Sequence, residues 1–163
     1  GHCCAALAGG AGGGGQLLLT YARYPAEEQA EALAVFAGSF RAHSSAPIVV
    51  VVPDAEHERS CARAAAALGT GHSCFNIEQW RFGSDIYERL AQEPVNVVRY
   101  AFFARYLRHH APDLTQVIVA DVRDVAFQAD PFADIRDVDS GAPHVAIFNA
   151  ERGDVRFGDC EIS

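Results

Sequence analysis

The chain has 163 residues, half of them hydrophobic, with 21 acidic against 13 basic side chains and a net charge of -8. That length suits one compact domain able to bury roughly 70% of its unfolded surface. The acidic balance works against a nucleic-acid partner, whose phosphates it would repel, and no apolar run approaches the roughly 20 residues of a membrane-spanning helix.

All 13 basic residues are Arg, and Met is absent even at position 1, so the chain is expected to be an excised part of a longer protein. Five cysteines (Cys3, Cys4, Cys61, Cys74, Cys160) show no CxxC spacing and an odd total. That pattern suits neither a disulfide framework nor a zinc site, and buried or idle thiols are the expectation.

Residues 1–16 are mostly Gly and Ala, costly to order and poor in packing surface, and are expected to form a flexible leader. No GK[ST] follows the glycine run and no strand precedes it, so it does not fit a phosphate loop. Residues 17–163 are expected to form a single α/β domain, because short apolar runs alternate with segments of helical period.

The first predicted strand is LLLTYA, 17–22. Pro25 suits the first turn of a helix over 26–41, whose Ala30, Leu33, Ala34, Ala37 and Phe40 share one face. IVVVVP, 48–53, is apolar throughout, as a strand covered on both faces should be. Asp54 is placed to cap a helix over 55–68, with Gly69 and Gly71 as stop signals. A weak strand over 73–77 precedes a connecting region from 80 to 93. Pro94 opens a further helix with Val97, Val98, Ala101, Phe102, Ala104 and Leu107 at apolar positions, closed by His109, His110 and Pro112. The last two predicted strands are VIVAD, 117–121, and HVAIF, 144–148.

Ligands of open α/β sheets bind beyond the C-terminal strand ends, which singles out Asp121 and the segment VRDVAFQADPF that follows it. Two carboxylates brought together there stay ionised cheaply only beside a cation or an Arg. Mg²⁺ or Mn²⁺ fills that role with one or two carboxylates, water and phosphate oxygens. The competing reading makes Asp121 a loop cap and Arg123 with Asp124 an ion pair. Joint ligation by Asp121 and Asp124 requires a turn after position 121, since residues three apart do not share a strand face.

The block from Val95 to Phe132, VNVVRYAFFARYLRHHAPDLTQVIVADVRDVAFQADPF, resembles the central block of GT-A nucleotide-sugar transferases. The likeness is closest to a group whose strand ends in D-x-R-D-V-x-F-Q-x-D-P-F. HVAIFNAE (144–151), GDC (158–160) and the first two predicted strands fit the same pattern. The resemblance implies a Rossmann-like, mostly parallel sheet flanked by helices. It implies an enzyme that holds a nucleoside-diphosphate sugar with Mn²⁺ or Mg²⁺ and moves the sugar to an acceptor hydroxyl.

Asp121 and Asp124 are the implied metal ligands, and Thr20, Tyr21, Arg99, Asp121 and Arg123 the implied donor-binding residues, with Tyr21 stacking on the base. The usual D-x-D is here D-V-R-D, one residue longer. Either Asp124 ligates the metal while Asp121 binds ribose or orders the loop, or the roles reverse. Phe127, Pro131 and Phe132 are expected to pack beneath the motif. A nucleotide-binding module without turnover is the alternative, and a phosphatase using Asp121 as nucleophile fits the spacing poorly. Cytoplasm is compatible with the sequence, and so is the Golgi lumen given an upstream anchor.

Overall fold

The computed structural model describes residues 15–79, 95–110 and 114–133. Strand β1 (Gln16–Tyr21) is buried from its second residue onward. It begins at the last residue of the expected leader, with Gln16 donating to the Gln116 side chain at 2.8 Å. Helix α1 (Ala26–Arg41) follows, then β2 (Ile48–Val52), buried at all five positions. Helices α2 (Ala55–Arg63) and α3 (Ala65–Leu68) lead to β3 (His72–Asn76) and a 3₁₀ turn over Ile77–Gln79. Helix α4 (Val95–His110) and β4 (Gln116–Val119) complete the described elements.

The four strands are all parallel, in the order β3-β2-β1-β4, so the fold is α/β and Rossmann-like. Strand alternation divides the core by face. Leu18, Ile48, Val50 and Val52 pack with Leu33, Phe36 and Phe40 of α1, Cys61 of α2 and Leu68 of α3. Leu17, Leu19, Tyr21, Val49 and Val51 point the other way, onto Val98, Phe102, Phe103 and Tyr106 of α4. Each large apolar side chain buried in this way contributes about 1.5–3 kcal/mol.

Local chemistry fixes the ends of the elements. Asp54 caps α2 as the sequence suggests, its carboxylate accepting from the N–H groups of Glu56 at 2.9 Å and His57 at 3.0 Å. Gly69 has φ +72°, and a Cβ there would meet the Arg41 side chain at 3.1 Å. The approach is functional for the fold, because Arg41 donates through Nε to Leu68 O at 2.7 Å and through Nη1 to Ala46 O at 2.6 Å.

Four expectations are revised. The helix foreseen over 55–68 breaks at Ala64, whose N–H bonds to Cys61 O three residues back at 3.0 Å; this tight turn delivers the fully buried Leu68 to α1. Cys61 and Cys74 are not idle thiols: they form a disulfide joining α2 to β3 across a sequence separation of 13. On α4, Ala104 is exposed, and Phe103 and Tyr106 share the buried stripe with Val98 and Phe102. On α1, Phe36 is fully buried where a helical reading favoured the smaller Ala30 and Ala34. The connecting region 80–93, the strand at 144–148 and Cys3, Cys4 and Cys160 lie outside the described residues. Among the described residues, no helix is long and apolar enough to cross a membrane.

Candidate functional site

From β1 the chain crosses through α1 to β2 on one side, while β4 pairs on the other side of β1. The sheet order therefore reverses between β1 and β4, and in open parallel sheets the crevice at such a reversal is where ligands sit. The segment after β1 supplies Tyr24 and the segment after β4 supplies Asp121. Thr20 binds the two strand ends together, its fully buried hydroxyl donating to Ala120 O at 2.7 Å.

Asp121 is the centre of the crevice. Its Oδ1 accepts from the Tyr24 hydroxyl at 2.9 Å and from the Arg123 backbone N–H at 3.3 Å. Its Oδ2 pairs with Arg99 Nη1 of α4, the two side chains being 28% and 24% exposed. Burial alone would raise the Asp121 carboxyl, but the Tyr24 hydroxyl, the Arg123 N–H and the Arg99 guanidinium together hold it below the ordinary carboxylate range. Tyr24 moves the opposite way: burial, then its bond to Asp121, keeps the phenol protonated well above its usual range.

A turn over residues 122–124 follows, which is the feature that joint presentation of Asp121 and Asp124 requires. Val122 is 3% exposed and drops into the α1-side core, so Arg123 and Asp124 rise to the surface. The Arg123 guanidinium lies 4.2 Å above the centre of the Tyr24 ring and pairs with Glu28 in the first turn of α1. Asp124 is exposed at the end of this turn.

The loop beyond is fixed from below. Phe127 N–H donates to Ser39 Oγ at 3.1 Å, and its ring meets Phe36 and Phe40 edge-on at 5.5 and 5.1 Å. Asp130 accepts from Phe132 N–H at 3.0 Å, and Phe132 is buried against Phe40. The packing roles expected of Phe127 and Phe132 are thus visible.

The chain matches no family model, no curated protein and no solved structure. The site must therefore be argued from its own chemistry.

Arg99 and Arg123 both meet Asp121, the first through its guanidinium and the second through its backbone N–H. Thr20 is spent on the Ala120 carbonyl. Tyr21 is 5% exposed with its ring parallel to Phe102 at 6.5 Å, so it packs in the α4-side core and meets the crevice only by its margin. That margin, with Arg99, Phe103, Val119 and Asp121, borders a cavity of about 60 Å³, room for about two water molecules. The Arg99 Nε–H is buried without a hydrogen-bond partner among the described residues. A larger open groove, about 540 Å³, lies between the start of α1 and the length of α2, lined by Glu27, Glu56, Arg59 and Arg63. It brings together none of the predicted site residues, and size alone does not make it the better candidate.

Tyr24 and Glu28 escaped the sequence reading. Tyr24 directly precedes Pro25, which favours extended backbone at the residue before it, and it lies just past the end of β1. Both signals place it in the crevice once the strand order is known. Glu28 reads in sequence only as a first-turn acid favourable to the helix dipole.

The donor set also bears on the divalent cation that the resemblance implies. Asp121 has its oxygens engaged by three donors, whereas Asp124 is exposed and makes no side-chain hydrogen bond or ion pair with another described residue. Two carboxylates (Asp121, Glu28) pair with the two guanidiniums (Arg99, Arg123), so these pairs carry no net positive charge. A diphosphate would meet no net attraction from them without a further cation. No group of three or more His, Cys, Asp or Glu gathers among the described residues, but Mg²⁺ and Mn²⁺ commonly use one or two carboxylates beside water and phosphate. Asp124 fits such a cation, with Asp121 in the role of organiser.

Proposed function

We propose that this chain is the donor-binding domain of a GT-A-type glycosyltransferase, holding a nucleoside-diphosphate sugar across the C-terminal ends of β1 and β4. The observation that carries the reading is the ionised Asp121 at the β4 end of the crevice, locked by Arg99 and Tyr24 and followed by a turn that raises Arg123 and Asp124.

In this reading Asp124 holds Mn²⁺ or Mg²⁺ and Asp121 keeps Arg99 and the loop in place. Bound there, the cation supplies positive charge against the negative charge that grows on the diphosphate as the sugar departs. Arg123 is the half-exposed guanidinium nearest that region, and an Arg fork meets phosphate through two hydrogen bonds. Its exposed pair with Glu28 is weakly held, so phosphate competes for it readily.

Calorimetry with UDP, GDP and ADP, each with and without Mn²⁺, tests the reading. Binding of at least one diphosphate that needs Mn²⁺ and is lost in Asp124→Ala is the expected result. No binding of any of them, or binding indifferent to chelation and to Asp124→Ala, overturns it.

A further inference from the structure

We propose that Tyr24 is the positioning residue of this site, one side chain that sets both the anion and the cation a ligand meets. The inference rests on the donor-binding reading for its functional value, while its geometry stands apart from it. Tyr24 follows β1, whereas Asp121 and Arg123 follow β4, so the residue bridges the two sides of the crevice.

The hydroxyl fixes the anion. By donating to Asp121 Oδ1 at 2.9 Å, it selects one orientation of the carboxylate and leaves Oδ2 turned to Arg99 on α4. The ring fixes the cation. Arg123 lies 4.2 Å over its centre, a cation–π contact, while Glu28 holds the guanidinium from α1. The Arg123 backbone N–H on Asp121 Oδ1 at 3.3 Å closes the triangle. Without the aromatic surface, a half-exposed arginine with one exposed ion pair would sample several rotamers, because such a pair barely outweighs the side-chain entropy it costs. Hydroxyl and ring thus do separate jobs, and substitution separates them: Tyr24→Phe keeps the ring and loses the donor, whereas Tyr24→Leu loses both.

The full chain is labelled with phenylglyoxal and the arginines are mapped by mass spectrometry, alongside titrations with UDP and with inorganic pyrophosphate in Mn²⁺. Arg123 is expected to label slowly in the wild type and in Tyr24→Phe, and several-fold faster in Tyr24→Leu. Tyr24→Phe is expected to weaken UDP by about 3- to 10-fold, the worth of one ordinary hydrogen bond, since Tyr24 acts on the ligand only through Asp121, and Tyr24→Leu by more. If Tyr24→Leu fails to fold, NMR carries the ring arm: Arg123 side-chain protons shift upfield over the ring in the wild type and in Tyr24→Phe. Equal Arg123 labelling in all three proteins, or no upfield shift in the wild type, overturns the proposal whatever the chain binds. Labelling that follows the ring in a protein binding neither UDP nor pyrophosphate upholds the positioning role and overturns the donor-binding reading instead.

Discussion

The Arg99–Asp121 pair can be weighed by a double-mutant cycle with Arg99→Met, Asp121→Asn and the two combined. A hydrogen bond to a charged group contributes about 1.5–3 kcal/mol, but both side chains are about a quarter exposed, so water and salt screen the pair. The expected coupling at pH 7 is about 1 kcal/mol, read from urea unfolding of the four proteins. Its pH dependence has a definite sign. Asp121 titrates near 3.8 in the unfolded chain and lower in the folded one, so the coupling is fully present above about pH 4. It is lost as pH falls through the folded value and the carboxyl takes up its proton. Salt near 1 M shortens the screening length to about 3 Å and should reduce the coupling without abolishing it. A coupling below about 0.3 kcal/mol at pH 7, within the range seen for independent sites, or one undiminished in acid, would refute the assignment of Asp121 as an ionised partner of Arg99.

Three further outcomes are expected. Reducing Cys61–Cys74, or replacing both by Ser, should cost about 3 kcal/mol, the loop-closure value for a ring of this size, seen as a lower midpoint in thermal melts under reducing conditions. Phe40→Ala should cost about 3–5 kcal/mol by opening a cavity in the α1-side core; a loss under about 1 kcal/mol would show that the cluster is loosely packed. Tyr24 holds its proton more tightly folded than unfolded, where it titrates near 10.0, so its contribution is intact below that pH and declines above it. Tyr24→Phe should therefore flatten the alkaline limb of the stability curve, and an unchanged limb would place the phenol in an ordinary environment.

Much of the architecture was legible because periodicity is a direct consequence of which faces are covered. The all-apolar run at β2 could only suit a strand packed on both faces, and the helix from 26 to 41 was bounded by Pro25 and its own apolar spacing. Asp54, Gly69 and Gly71 announced the ends of the α2–α3 region through cap and turn chemistry that acts within a few residues. The interruption at Ala64 was not legible, since the alanines around it carry no pattern. The disulfide was missed for a different reason: Cys61 and Cys74 meet only because α2 packs beside β3, a tertiary fact absent from their spacing. At the site, Asp121 was found because strand ends are where chemistry collects. Arg99 was found only through resemblance, and its distance from Asp121 in sequence gave no local clue. Tyr21 was singled out because it lies at the end of the strand, yet strand alternation sends its ring into the core.

The loop bearing Asp121 through Asp130 rests on the same phenylalanines that seat α1, with Phe127 edge-on to Phe36 and Phe40 and Phe132 edge-on to Phe40. If Asp124 serves as proposed, loss-of-function screens would score lesions at Phe36 or Phe40 alongside those at Asp124, although these rings belong to the core beneath the loop. Telling the two groups apart requires measuring how much folded protein accumulates, because an interior defect lowers abundance and affinity together whereas an exposed carboxylate can be removed with the fold intact.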